Sequence, residues 1–386
     1  MKNWNQSLLG ELFDIQIGKT PFRDNPIYWG EGNSWLSIAD MKTEQLSKTK
    51  ESITDLAIKE CNMKQIPKNT VVMSFKLSIG KIGVTTSPMY TNEAIAGFLP
   101  KTNLIDNNYL KHALKKINYS GKIDRAAMGA TLNKKKLQEL TINYPEIQEQ
   151  KRIADILDRI QKNIILEEKK IVLFDKLLLS TFNTWFTKCQ SEFSHSNVQD
   201  LTVTIRGGGT PRKSIPEYYD SASIPWITPK DMKKDFLSDS AIRINELGLE
   251  SSSANLMPKG SLLLVQRSGI LKHTLPVAIA TSEVTTNQDL KSFVFDTEKV
   301  TPEYMMYFFK SSQDALLGKV RAVTADNLNL KDILNLIVYV PPIEKQNKFS
   351  ELVYEVKEIK ERTQLKVDKQ NELFQACLQR AFLGEL

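Results

Sequence analysis

The sequence predicts an α+β chain: two tandem α/β-type domains joined by two long helices, which pair as an antiparallel coiled coil with pseudo-twofold symmetry. Three observations predict it: an internal repeat, a heptad seam in each half, and short apolar runs broken by turn residues elsewhere. The repeat comes first because it governs the rest. Trp35, Asp40, Met41 and Lys42 recur 191 positions later as Trp226, Asp231, Met232 and Lys233. Thr20-Pro21 recurs as Thr210-Pro211, Pro67-Lys68 as Pro258-Lys259, and Thr91-Asn92 with Phe98 as Thr286-Asn287 with Phe293. Leu132-Asn133, Pro145, Ile147 and Gln150 match Leu328-Asn329, Pro341, Ile343 and Gln346. These blocks keep their order, so two copies of one unit of roughly 190 residues fill the 386 residues.

Taken in order, residues 1–144 form the first mixed domain, in which runs such as Val71-Val72-Met73 lie between Gly, Pro, Asn and Ser. That texture predicts several short strands, with one clear helix from Asn107 to Ile117. Residues 145–188 are a long helix, free of Pro and Gly from Glu146 to Lys188. Ile153, Leu157, Ile160, Ile164, Glu167, Ile171, Phe174, Leu178, Thr181 and Trp185 follow alternating spacings of four and three, the signature of a coiled-coil seam. Residues 189–340 repeat the mixed domain, and Pro302 sits in the first turn of the helix from Pro302 to Ser311, where its missing N–H costs nothing. Residues 341–386 repeat the long helix with Phe349, Val353, Val356, Val367, Phe374, Cys377 and Ala381 on its seam, interrupted by Lys360, Thr363 and Gln370. A helix of ~40 residues is a rod of ~60 Å and cannot bury its seam alone. Pairing of the two rods is the economical solution; a rod folded onto its own domain, or paired with another subunit, is the alternative.

Composition narrows the class. With 41% apolar and 25% charged residues the chain resembles ordinary globular proteins, which excludes long disorder and fibres. No apolar run approaches the ~20 residues of a membrane span, the first residues from Met1 do not form a signal peptide, and a cytoplasmic location is expected. Cys61, Cys189 and Cys377 lie too far apart to suggest a disulfide framework or metal pair. The net charge of +7 is concentrated in residues 1–144, which carry 20 basic and 13 acidic groups.

No catalytic constellation emerges. Gly18-Lys19-Thr20 lacks the upstream Gly of a phosphate-binding loop, and Gly207-Gly208-Gly209 lacks the third Gly of a dinucleotide fingerprint; flexible turns are expected at both. Asp289-Leu-Lys291 has no preceding Pro-Asp pair and is no nuclease motif. His112 is expected on the surface of its helix. Binding is the default function, and two related domains on stiff helices suit a linear, repetitive ligand, double-stranded DNA above all. Candidate contacts follow corresponding strands and turns in the two halves. In the first they are Lys19, Thr20, Arg23, Lys76, Ser78, Lys81, Arg125, Lys134 and Lys135. In the second they are Arg206, Thr210, Arg212, Lys213, Arg267, Ser268, Lys272, His273, Arg321 and Asn329. Arg can read guanine bidentately, whereas Lys more often meets phosphate. A protein-binding scaffold with two end domains, and an enzyme with a cryptic site, are the competing readings.

At these residues the chain resembles the specificity (S) subunit of type I restriction–modification systems. The similar strings are Gly209-Thr210-Pro211, Ile224-Pro225-Trp226-Ile227, the Asp-Met-Lys ends, Arg267-Ser268-Gly269, Pro341-Pro342-Ile343 with Gln346, and the closing run from Arg380 to Leu386. The resemblance spans the whole chain and implies two target-recognition domains, each reading one half of a split DNA site, with helices that set the spacing. It implies no active site and no cofactor on this chain. Its partners would be DNA, two methyltransferase (M) subunits carrying S-adenosylmethionine for adenine N6 methylation, and restriction (R) subunits using ATP and Mg, with no membrane. Ile165, Val172 and Leu179 would be exposed positions for docking M. Two departures stand out: the first helix ends Phe182 to Phe186 without Gly-Glu-Leu, and Lys76, Ser78 and Gly80 occupy the place of Arg267-Ser268-Gly269.

Overall fold

The computed structural model describes residues 4–117, 119, 124–126, 129–187, 192–322 and 326–386; Cys189 and the first three residues lie outside them, as do the side chains of Arg125 and Arg321. The first half runs β1 (Asn5–Leu8), α1 (Leu9–Leu12), β2 (Phe13–Ile17), β3 (Trp29–Leu36), β4 (Gln45–Leu46), β5 (Glu51–Ile53), α2 (Asp55–Glu60) and β6 (Val71–Ser74). It continues through β7 (Ile82–Thr85), β8 (Tyr90–Thr91), β9 (Ile95–Pro100), α3 (Asn107–Lys116), β10 (Asp124–Ala126), β11 (Gly129–Thr131), α4 (Lys134–Gln138), β12 (Thr141–Tyr144) and the long α5 (Ile147–Phe182). The second half follows with β13 (Ser194–Asn197), β14 (Thr202–Gly207), β15 (Ile224–Ile227), β16 (Phe236–Leu237), β17 (Arg243–Ile244), α6 (Glu246–Glu250), β18 (Leu262–Val265) and β19 (Val277–Ala280). It ends with β20 (Thr285–Thr286), β21 (Leu290–Phe295), α7 (Pro302–Ser311), α8 (Gln313–Leu317), β22 (Arg321–Ala322), β23 (Asp326–Asn327), α9 (Leu330–Leu334), β24 (Ile337–Val340) and the long α10 (Ile343–Ala381).

Two compact units result: unit 1 is Met1–Glu167 with Leu365–Leu386, and unit 2 is Glu168–Gln364. Their topologies coincide strand for strand. Unit 1 has a five-stranded sheet in the order β2-β9-β6-β7-β4, a three-stranded sheet β5-β3-β8, and the pairs β1-β12 and β10-β11. Unit 2 has β14-β21-β18-β19-β16, β17-β15-β20, β13-β24 and β22-β23. Even the exceptional parallel contacts recur: β3 with β8 and β4 with β7 in unit 1, β15 with β20 and β16 with β19 in unit 2.

The central strands are unbroken apolar runs because both sheet faces are covered. In β6, Val71 and Met73 face the main core, while Val72 joins Leu36, Leu46 and Ile66 on the other face, as period-two side chains must. Over the main face of unit 1 lie Tyr109, Leu110 and Leu114 of α3, then Ile153, Leu157 and Ile164 of α5 with Val367, Phe374 and Leu378 of α10. In unit 2 the same layer holds Tyr304, Met305 and Phe309 of α7 with Leu178 and Phe182 of α5 and Phe349, Val353 and Val356 of α10. The heptad seams therefore serve twice, within each unit, pairing the long helices and roofing the sheet.

Helix pairing is antiparallel in each unit. In unit 1, Arg152 Nη2 reaches Leu386 O at 2.6 Å and Lys366 Nζ reaches Glu167 at 2.5 Å. In unit 2, Lys360 pairs with Asp175, and Phe182 packs on Phe349 with ring centroids 5.5 Å apart. Most polar interruptions of the seam are answered by partners: Glu167 takes Lys366, Lys360 takes Asp175, and Thr363 Oγ1 donates back to Ile359 O, whereas Gln370 Oε1 is buried with no hydrogen-bond partner among the described residues.

One glutamine in each unit ties the start of a long helix to the domain. Gln150, fully buried, accepts from Asp106 N at 2.9 Å and donates to Leu104 O and Pro145 O. Gln346 accepts from Thr301 N at 2.9 Å and donates to Lys299 O and Pro341 O. Asp106 and Thr301 in turn cap α3 and α7.

His112, expected at the surface, is fully buried. The helix turns it toward α5, where Nε2 lies 2.6 Å from Asp158 Oδ1, and its ring packs against Phe374 of α10. Lys111 also binds Asp158, at 2.5 Å, while Lys115 and Gln161 hold Glu44. Burial, chiefly, holds the His112 imidazole below its ordinary range despite Asp158, with Lys111 and Lys115 adding to the depression. Glu44 and Asp158 are also held low, because the lysines and hydrogen bonds outweigh a burial effect that alone would raise them. A depressed histidine stays neutral in the fold but protonates in the unfolded chain, so stability is lost as pH falls below about 6.5 toward the folded value. The two carboxylates extend the loss below about 4. Unit 2 has Met306 and Tyr307 where unit 1 has Lys111 and His112. After correction for the intrinsic pH dependence of amide exchange, protection in α3 is therefore expected to fall from pH 7.5 to 5.5 more than in α7, and His112→Phe should remove most of the difference.

Candidate nucleic-acid interface

Sheet register gathers the polar loops at one end of each five-stranded sheet. In unit 2, the C-terminal end of β14 lies beside the start of β21 (Gly207 opposite Lys291). The end of β18 lies beside the same start (Val265 opposite Leu290), and β19 begins there too (Val277 opposite Leu264). The segments 207–213, 266–276 and 286–290 therefore share one end. In unit 1, Ile17 opposite Ala96, Ser74 opposite Ile95 and Ile82 opposite Met73 place segments 18–25, 75–81 and 92–94 likewise. Chain exits toward α3 and α7, and the buried glutamines, lie at the opposite end.

Two glycines make these turns tight rather than flexible. A Cβ on Gly18 would fall 2.1 Å from Thr91 O, and one on Gly208 would fall 2.1 Å from Thr286 O. The turn is then locked by an indole: Trp35 Nε1 donates to Lys19 O at 3.0 Å and Trp226 Nε1 to Gly209 O at 2.9 Å. The repeated Asp of the Asp-Met-Lys blocks is also structural. Asp40 Oδ2 accepts from Ser37 N and Oγ, and Asp231 Oδ2 from Thr228 N and Oγ1.

Many candidate side chains are already engaged. Thr20 donates its hydroxyl to Glu93, and Thr210 to Gln288. Lys19 Nζ binds Cys61 O at 3.1 Å. Arg23 is clamped: Glu51 takes Nη1 at 2.6 Å and Nη2 at 3.2 Å, and the guanidinium stacks 4.0 Å from the Trp29 ring. Lys76 Nζ lies 5.5 Å from the Phe75 ring, Ser78 O accepts from Ser74 Oγ, and Lys81 Nζ reaches Ile38 O at 3.4 Å. Arg267 Nε donates to Asp289 Oδ1 at 2.7 Å, and Ser268 caps the short turn Gly269–Lys272. Lys272 sits 3.8 Å from buried Asp326. Asn329 caps α9 by accepting from Lys331 N.

Arg206, Arg212, Lys213, His273, Lys134 and Lys135 are exposed with no ion pair among the described residues. The bond from Leu132 N to Phe75 O brings the start of α4, with Lys134 and Lys135, beside Lys76. Its counterpart from Leu328 N to Gln266 O does the same for Asn329 and Arg267, and Arg267 bridges to Asn327 of the β22-β23 hairpin. The backbone of Arg125 and Arg321 lies in the two hairpins. Each unit thus presents one surface of cations and hydrogen-bond donors, chemistry suited to phosphates and base edges. Among the described residues no cluster of His, Cys, Asp or Glu is placed to hold a metal. No helix of the described residues is long and apolar enough to cross a membrane.

The docking candidates separate. Ile165 and Val172 are each 54% exposed, alongside Leu166, Leu173 and Leu177, whereas Leu179 is half-buried against the unit 2 core.

A family model, the type I restriction modification DNA specificity domain, matches residues 1–173 and again 191–369. The chain is 25% identical, over its whole length and 94% of the relative, to the type I restriction enzyme MjaIX specificity subunit of Methanocaldococcus jannaschii. It is 33% identical over 149 residues, 38% of this chain and 37% of the relative, to the EcoR124I/EcoR124II specificity subunit of Escherichia coli. The fold is similar to the crystal structure of a type I restriction–modification S subunit from M. genitalium, with a TM-score of 0.58, 14% identity and coverage of 98% of this chain and 96% of that one.

Proposed function

The chain belongs to the type I restriction modification DNA specificity family, and from that premise we propose that it reads an asymmetric, bipartite duplex target, one half-site per unit. The duplicated sheet end, with its different cations in the two units, is the observation that carries this reading. The long helices set the separation of the half-sites. This chain is the non-catalytic, DNA-reading part of the complex and needs no cofactor of its own. Two M subunits bring S-adenosylmethionine and methylate adenine N6; R subunits, where they join, bring ATP and Mg.

The exposed apolar residues of α5 supply the docking surface for M. A charge placed there must be desolvated on assembly, so Val172→Glu is expected to weaken co-purification with M at least tenfold without altering helix content. Unchanged assembly would move docking to another face.

Methylation mapping by single-molecule sequencing tests the whole reading, in cells expressing this chain with its methyltransferase partner. A split motif with N6-methyladenine in both halves is expected. An active partner with no split motif would favour a protein-binding scaffold instead.

A further inference from the structure

Arg267 is held by one carboxylate that is itself held in place. Its Nε and Nη2 both reach Asp289 Oδ1 at 2.7 Å. The second oxygen of Asp289 accepts from Asn287 Nδ2 at 2.9 Å, and Asp289 N donates to Asn287 Oδ1 at 3.1 Å. Asp289 O accepts from Gln266 N and Arg267 N, so carboxylate and arginine are tied at main chain and side chain alike. The pairing consumes the Nε–Nη2 edge of the guanidinium and leaves its Nη1–Nη2 end with no partner among the described residues, on a side chain that is half exposed.

Unit 1 supplies the comparison. Ala94 N donates to Asn92 Oδ1 at 3.1 Å and Phe75 N to Ala94 O at 2.9 Å, the same bonds that Asp289 makes with Asn287 and Gln266. Ala94 therefore stands in the place of Asp289, and Lys76 in the place of Arg267. Both members of the pair change together: arginine has its carboxylate, and lysine has a methyl group.

Resting on the DNA-reading function above, we infer that Arg267, positioned by Asp289, reads a guanine in the half-site of unit 2, and that unit 1 lacks a guanine reader at the matching place. An arginine neutralised by its neighbour is a poor phosphate anchor but keeps two parallel N–H groups for guanine O6 and N7 in the major groove. Its rotamers are already restricted, so less side-chain entropy is lost on contact. Lys76, with no carboxylate at the position of Asp289, is a point charge suited to phosphate.

Selection of bound duplexes from a randomised library, by the intact chain assembled with its methyltransferase partner, tests this. Wild type is expected to select guanine at one position of one half-site by roughly 10- to 100-fold over other bases. Arg267→Lys and Asp289→Asn should each erase that preference while leaving the other positions and the other half-site intact. The joint change Lys76→Arg with Ala94→Asp should add a guanine preference to the first half-site, which neither change does alone. A guanine preference that survives Arg267→Lys overturns the inference, as does equal weakening of every position in that half, which would make the ion pair a loop brace. If wild type selects no split sequence at all, the DNA-reading function itself fails, an outcome distinct from both.

Discussion

Replacing Gln346 by leucine is expected to destabilise unit 2 by about 3–5 kcal/mol, because Thr301 N and Pro341 O would be left buried without partners, at about 1–3 kcal/mol each, and Lys299 O would lose its donor. Against a domain stability of about 5–15 kcal/mol, that opens a measurable fraction of the unit. The failure has a direction. Thr301 begins α7, and α7 carries Tyr304, whose hydroxyl holds Tyr339 O at 2.5 Å, and Tyr307, whose ring packs on Phe349 at 5.2 Å. Releasing the glutamine therefore frees α7 and the start of α10 together. Gln150→Leu should do the same to unit 1, where Tyr109 binds Asn143 O at 2.7 Å. Each variant should open its own unit first, read by protease cleavage or hydrogen exchange resolved along the chain. Each should also lose one half-site while keeping the other. A loss under 1 kcal/mol, or equal opening of both units by one variant, would remove these glutamines from their anchoring role.

The repeat made much of this architecture legible. Matching Trp35 to Trp226 and Thr91 to Thr286 located residues that prove to bond at equivalent places, Trp Nε1 on the Thr-Pro turn and the Thr carbonyl on the following backbone N–H. Pro145 with Gln150, and Pro341 with Gln346, were visible as a spacing, yet no periodicity tells that the glutamine is buried or which carbonyls it meets. The seams were legible because most of their positions had to face something apolar. That the same seams would also roof the sheets was not, since a heptad reports that a face is covered and says nothing of what covers it. His112 was misplaced for a related reason: a lone histidine among lysines in Lys111 to Lys116 looks solvated until Asp158, far along the chain, is brought against it.

The candidate contacts were legible as residue types on corresponding loops, and less so as free groups. Arg23 is chosen by Glu51 and two tryptophans, and Ser268 and Asn329 are chosen by helix ends. Such commitments depend on carboxylates and backbone donors that only folding brings near. Asp289 is the instructive case. In the sequence it looked like a stray fragment of a nuclease motif; in the fold it is the residue that aims Arg267.

Shortening both long helices by one heptad, by deleting residues 168–174 from α5 and 359–365 from α10, is expected to reduce the preferred DNA spacer by about 3 base pairs. Seven residues are about 10.5 Å of helix, and each base pair rises about 3.4 Å. A seven-residue deletion preserves the seam, because the helix returns to the same face within about 20°. Glu167 and Lys366 remain to form their pair. DNA is less forgiving: with 10–10.5 base pairs per turn, removing about 3 rotates one half-site by about 100° relative to the other. The duplex must twist or the helices must bend to restore both contacts, so affinity should fall even at the new optimum, while the bases preferred in each half stay unchanged. Deleting the heptad from one helix only should do worse, since the partner seam would then be out of step along its remaining length and Phe182 could not meet Phe349 while Glu167 meets Lys366. Methylation mapping with the doubly shortened chain reads all three quantities at once. An unchanged spacer with altered half-sites would show that the recognition units, rather than the helices, determine the distance.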